Sequence, residues 1–168
     1  MTTTLALLAV ALIFVLFLIR YAPWRHTAAH PDELSRLLEP ISVPAMMNLI
    51  DGKNLEFLER SLPANEFRQA KRERCRTLRV YVRRIAHNTR ILIATAEVAQ
   101  RAADAQVAES GRVLLEASLA TRTRAMRALA SLYVSEIFPG FLPDLSEAIQ
   151  TYQSAAARLD SLQALNTH

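Results

Sequence analysis

The chain has 168 residues, a formal net charge of +4 and 51% hydrophobic residues, enough for one compact domain and too little for two. Its only glycines are Gly52, Gly111 and Gly140, which excludes the glycine-rich phosphate loops of dinucleotide-binding and P-loop enzymes. A lone cysteine, Cys75, excludes an intramolecular disulfide and has no Cys/His companion at zinc spacing, so it reads as a small buried apolar residue.

Residues 5–19 read LALLAVALIFVLFLI, and with the four residues before them they form 19 positions without a charged side chain. That is close to the length that crosses a bilayer's hydrocarbon core as a helix. Twelve of the fifteen are Leu, Ile, Val or Phe, worth about 4–7 kcal/mol of insertion free energy at most. A cleaved secretory signal needs a basic start and small residues after the apolar run. Neither occurs, because Arg20, Tyr21, Pro23, Trp24 and Arg25 follow it. Residues 1–21 are therefore expected to be a single-pass transmembrane anchor, with Tyr21 and Trp24 in the headgroup layer. Arg20 and Arg25 mark the cytoplasmic side of a plasma (inner) membrane, which puts the body in the cytoplasm by the positive-inside rule.

Residues 22–62 are expected to be a juxtamembrane linker with short helices, since Pro31, Pro40, Pro44, Gly52 and Pro63 interrupt the stretch to 63. Pro31 with Asp32 and Glu33 reads as one helix opening, and Ser42 before Val43 and Pro44 as another, stopped at Gly52. Leu55, Phe57, Leu58 and Leu62 form an apolar patch. His26 and His30 lie four apart, but Pro31 makes a regular helix across them doubtful, so they read as linker and no metal is expected. Met46 and Met47 read as local core.

Residues 63–168 are expected to form an all-α antiparallel bundle of three main helices, about 64–110, 112–138 and 144–165. In the first, Leu78, Val82, Ile85, Thr89, Leu92, Ala96, Ala99 and Ala103 recur in steps of four and three, the seam of a coiled-coil-like helix. Gly111 reads as its stop. The second would bury Leu115, Leu119, Met126, Leu129, Tyr133 and Ile137 and end at Pro139-Gly140. The third opens on Asp144 and Glu147, spaced like a capping box, and buries Leu145, Ile149, Tyr152, Ala156, Leu159 and Leu162 or Gln163.

Charge is distributed unevenly. Residues 68–90 hold nine Lys or Arg and one acid, a net +8, whereas 20–67 and 91–168 are each −2. At 100° per residue Arg68, Arg72, Arg76, Arg79, Arg83, His87 and Arg90 share a quarter to a third of the helix circumference. Like charges at those spacings repel by a few tenths of a kcal/mol per pair. The stripe is read first as a solvated face, or one met by carboxylates such as Glu136 near Arg83 and Arg84. Beyond that, Arg68, Arg72, Arg76, Arg79, Arg83 and Arg90 are candidates for binding anionic lipid or an acidic protein partner. Nucleic acid is disfavoured, because Tyr81 is the stretch's only aromatic residue and no nucleic-acid-binding signature is present.

No catalytic pair, nucleophile elbow or cofactor box is written in the sequence, so no enzyme activity and no cofactor are expected. The functional expectation is a non-enzymatic, membrane-tethered helical interaction, scaffold or accessory module with a basic helix face, able to self-associate. The alternatives are a helical-bundle sensor of a small ligand, which would need a polar-lined cavity between helices, and a peripheral module for anionic lipid.

Overall fold

The computed structural model describes residues 37–137 and 144–166. The apolar run 5–19, Arg20, Tyr21, Trp24, Arg25, His26, His30, the helix opening at Pro31 and the Pro139-Gly140 stop lie outside the described residues. Among those described, the protein is all-α, with five helices and no strand: α1 Val43–Ile50, α2 Gly52–Ser61, α3 Ala64–Ala99, α4 Ala105–Ile137 and α5 Ser146–Asn166. None of them is long and apolar enough to cross a membrane.

Local chemistry sets the helix starts. The Ser42 hydroxyl accepts from the Ala45 N–H at 3.4 Å, with Pro44 in the first turn of α1. Gly52 does not stop α1; it opens α2. The residue between the helices is Asp51, which ends one and caps the other by accepting from the Lys53 N–H at 3.0 Å. Pro63 precedes α3, which runs 36 residues, about 54 Å.

The break between the two long helices falls at 100–104, not at Gly111. Asp104 accepts from the Gln106 and Val107 N–H groups at 2.7 and 3.2 Å, an N-cap that starts α4 six residues before the glycine. Gly111 then lies inside α4 and facing the end of α3. A Cβ there would come within 2.8 Å of the Gln100 backbone nitrogen and 2.9 Å of the Ala99 Cβ. Glycine is present because two backbones pass that closely, a role with the same one-letter signal as a helix stop.

The three long helices alternate in direction. Cys75 of α3 meets Ser135 of α4 at 3.7 Å while Gln100 meets Gly111, so α3 and α4 are antiparallel. Thr121 and Arg124 of α4 reach Thr151 and Glu147 of α5, and Arg158 reaches Val113, so α4 and α5 are antiparallel too. The core lies in two clusters. One joins Met46 of α1 to Cys75, Leu78, Val82 and Ile85 of α3, Leu129 and Leu132 of α4, and Leu145 and Ile149 around the start of α5. The other joins Leu92, Ala96 and Ala99 to Leu114, Leu159 and Leu162, and Tyr152 packs on both.

The expected α3 seam is buried from Leu78 through Ala99, whereas Ala103 is exposed in the turn. Cys75 is buried as expected. On α4 the buried face is Leu114, Ser118, Thr121, Ala125, Ala128, Leu129 and Leu132, so Leu119 and Tyr133 stand exposed at 47% and 40% instead of filling the core. In the middle of that face Ser118, Thr121, Ala125 and Ala128 are small and face inward, which leaves Leu119 and Tyr133 on the flank. Phe57, expected in an apolar patch, is 67% exposed, and Met47 is exposed beside buried Met46. The capping box at α5 is half formed: Asp144 accepts from the Ser146 N–H at 2.9 Å, while Glu147 turns to Arg124 at 3.4 Å.

Candidate anion-binding face

The repeat that puts Leu78, Val82 and Ile85 inside puts the arginines three and four residues apart outside. Arg68 and Arg72 are exposed on the first turns of α3, and neither makes a hydrogen bond or ion pair among the described residues. Arg76, also exposed, is paired with Glu73 at 2.6 Å on its own helix. Arg79 and Arg83 converge on one residue of α4. The Arg79 guanidinium stacks 5.3 Å from the centroid of the Tyr133 ring, and Arg83 donates to the Tyr133 hydroxyl at 2.6 Å. A cation over the ring and a second at its hydroxyl hold both arginines on the flank shared by α3 and α4.

Further along, half-buried Arg90 lies near half-buried Arg122 of α4. Burial and, secondarily, the charge of Arg90 push the Arg122 guanidinium below its ordinary value. The cationic row thus continues past Tyr133 and gains a member from the second helix. Exposed Leu119 stands three residues before Arg122 on α4. His87 is exposed on α3.

Two arginines of the same basic segment serve the fold. Arg84 pairs with Glu39 at 3.4 Å, a carboxylate from the segment preceding α1. The side chain of Glu136, expected near Arg83 and Arg84, lies outside the described residues. Arg74 is buried and turns inward. Its guanidinium donates to the carbonyls of Leu49, of Asn48 at 3.0 Å and of Asp51 at 2.9 Å, capping the C-terminal end of α1 where the helix dipole favours a cation. Burial pushes this guanidinium down from its ordinary value and the nearby Asp51 opposes the shift.

Sequence reasoning missed Tyr133, Arg122 and Arg74 as members of this charged system. The signal for Tyr133 was present: Ser118, Thr121, Ala125 and Ala128 form a competing stripe of small residues one helical step from the larger apolar one. For Arg74 no local signal exists, because its partners are backbone carbonyls 23–26 residues away.

A cleft of about 210 Å³ lies apart from this face, lined by Leu49, Ile50, Asp51, Leu55, Arg74 and Leu78 among others. Among the described residues no group of three His, Cys, Asp or Glu side chains is placed to hold a metal ion. No protein-family model, no curated protein and no solved structure matches the chain.

Proposed function

We propose that the protein is a non-enzymatic helical interaction module, tethered to a membrane by residues 1–21 and presenting the arginine face of α3 and α4 to an anionic surface. The observation that carries the reading is the set of exposed cations Arg68, Arg72 and Arg76 in line with the Arg79–Tyr133–Arg83 cluster, on the outside of the bundle. The apolar run 5–19 supports the tether, and Arg20 and Arg25 support a cytoplasmic body.

The cleft favours a second reading, a sensor of a small ligand. Its volume falls below the roughly 300–1,000 Å³ of most ligand sites, and the Arg74 guanidinium that lines it is already engaged by three carbonyls. The docking module is the better reading.

A C-terminal tag on the full chain tests the proposal. The tagged protein should stay with membranes through alkaline extraction, be released when residues 1–21 are deleted, and be digested by protease only when the cytoplasmic face is accessible. Digestion from the opposite face would reverse the topology, and loss from the membrane on alkaline extraction would remove the tether.

A further inference from the structure

We infer that the occupant of the arginine face is the anionic headgroup layer of a bilayer, along which α3 lies with Arg68, Arg72, Arg76, Arg79 and Arg83 in the phosphate plane and Tyr133 among the headgroups. The inference deepens the proposed function and rests on it for the tether.

Charge complementarity is the first argument. Residues 68–90 carry a net +8; Arg74 and Arg84 are engaged within the fold and Glu73, the one acid among them, pairs with Arg76, which leaves the row from Arg68 to Arg83 predominantly cationic. Arg68 and Arg72 are an exposed like-charge pair one turn apart, so a layer of negative charge relieves repulsion built into the start of the helix. Cations beside an anionic leaflet gain attraction from each nearby phosphate, and that attraction fades within a Debye length of the surface.

Shape is the second argument. From Arg68 to Arg90 the row runs about 33 Å along one unbroken helix. The described cleft is lined by α1, α2 and the inward side of α3. A protein partner that binds tightly needs a buried aromatic or aliphatic anchor in a pocket. Here the exposed large apolar groups of α3 and α4, Val80, Leu119, Tyr133 and Val134, are spread along the helices, and none of them lines the described cleft. A bilayer needs no matching shape.

Tyr133 supplies the third argument. Its ring lies under one guanidinium and its hydroxyl meets another, so the residue has an apolar body flanked by two phosphate-seeking groups. Amphipathic rings of this kind settle at the depth of lipid headgroups.

The test uses the full chain in vesicles, with a fluorophore on Ala130→Cys, an exposed position one turn before Tyr133, in a Cys75→Ala background. A matched label on Gln153→Cys, exposed on α5, reports the side away from the face. In vesicles with about one-third phosphatidylglycerol, lipid-borne quencher should quench the label at 130 and spare the label at 153. Replacing phosphatidylglycerol by phosphatidylcholine should weaken the contact, as should Arg68→Gln, Arg72→Gln and Arg76→Gln, by about fivefold per arginine removed. These three side chains are exposed, and an unchanged helical spectrum would verify the fold.

Flotation of the same samples separates the two readings. A chain that floats with phosphatidylcholine vesicles while its label at 130 stays unquenched by lipid-borne quencher in phosphatidylglycerol vesicles overturns the lipid face and leaves the tether. Flotation that requires phosphatidylglycerol and is lost with the arginines keeps the lipid face and removes the tether. Failure to float with either lipid removes both.

Discussion

Gly111 of α4 lies against Ala99 of α3 so closely that a Cβ on the glycine would stand 2.9 Å from the Ala99 Cβ and 2.8 Å from the Gln100 nitrogen. The two helices are therefore pinned at their shared end by backbone approach. Farther along, their separation is filled by larger side chains such as Leu92 and Leu114.

Gly111→Ala follows directly. Alanine favours a helix interior by about 1 kcal/mol over glycine, but the clash is with backbone, which cannot rotate away, and overpacking costs about 1–3 kcal/mol. A net loss of up to about 2 kcal/mol is expected, read as a lower urea midpoint. Gly52→Ala is the control. Nothing lies within 4 Å of a Cβ there and its φ is not positive, so that change should be neutral or stabilising.

Arg74 can be tested by shape and charge separately. Arg74→Met keeps the apolar stem and loses three donated hydrogen bonds, leaving the end of α1 uncapped at an expected cost of about 2–4 kcal/mol. Arg74→Lys keeps the charge but not the planar fork and should recover only part of it. Amide exchange should rise in α1 before it rises in α4.

Tyr152 gives stability an alkaline limit. Burial holds its hydroxyl above the ordinary value of 10.0, while the hydrogen bond from Asn88 works the other way. The folded chain keeps this proton longer than the unfolded chain. Its contribution is whole below pH ~10 and is lost as pH climbs through the raised folded value. Tyr152→Phe should cost about 1 kcal/mol near neutrality and flatten the decline above pH ~10, measured as urea midpoint against pH.

Asp144 has the opposite sign. Hydrogen bonding to Ser146 holds its carboxyl below the ordinary 3.8, so its cap is fully present above that value and is lost as pH falls through the depressed one. Asp144→Ala should cost about 1 kcal/mol at pH 7. Asp144→Asn should retain most of the cap and lose the acid sensitivity.

Periodicity carried much of the fold into view. The seam from Leu78 to Ala99 and the face Leu145, Ile149, Leu159, Leu162 could be read because large apolar residues recur there at helical spacing and nothing competes with them. On α4 two stripes compete, and close packing selects the smaller one, a choice made by α3 and invisible within α4 itself. Helix boundaries failed where one residue has two meanings: glycine at 111 permits approach, and the cap at Asp104 looks like any exposed acid. The arginine row was legible as charge. That Arg79 and Arg83 share Tyr133, while Arg74 and Arg84 serve the fold, depends on contacts 23–54 residues apart.

Asn88 is fully buried, and its side-chain amide grips the backbone of Glu39 at both ends, accepting from its N–H at 2.9 Å and donating to its carbonyl at 2.8 Å, while also donating to Tyr152 at 2.8 Å. Glu39 is bonded a second time through its carboxylate to Arg84, one turn earlier on α3. A pull on the chain from its N-terminal side therefore loads the middle of the longest helix before it reaches α1, and tension is spread over α3 and α5 instead of unzipping the bundle from its first short helix.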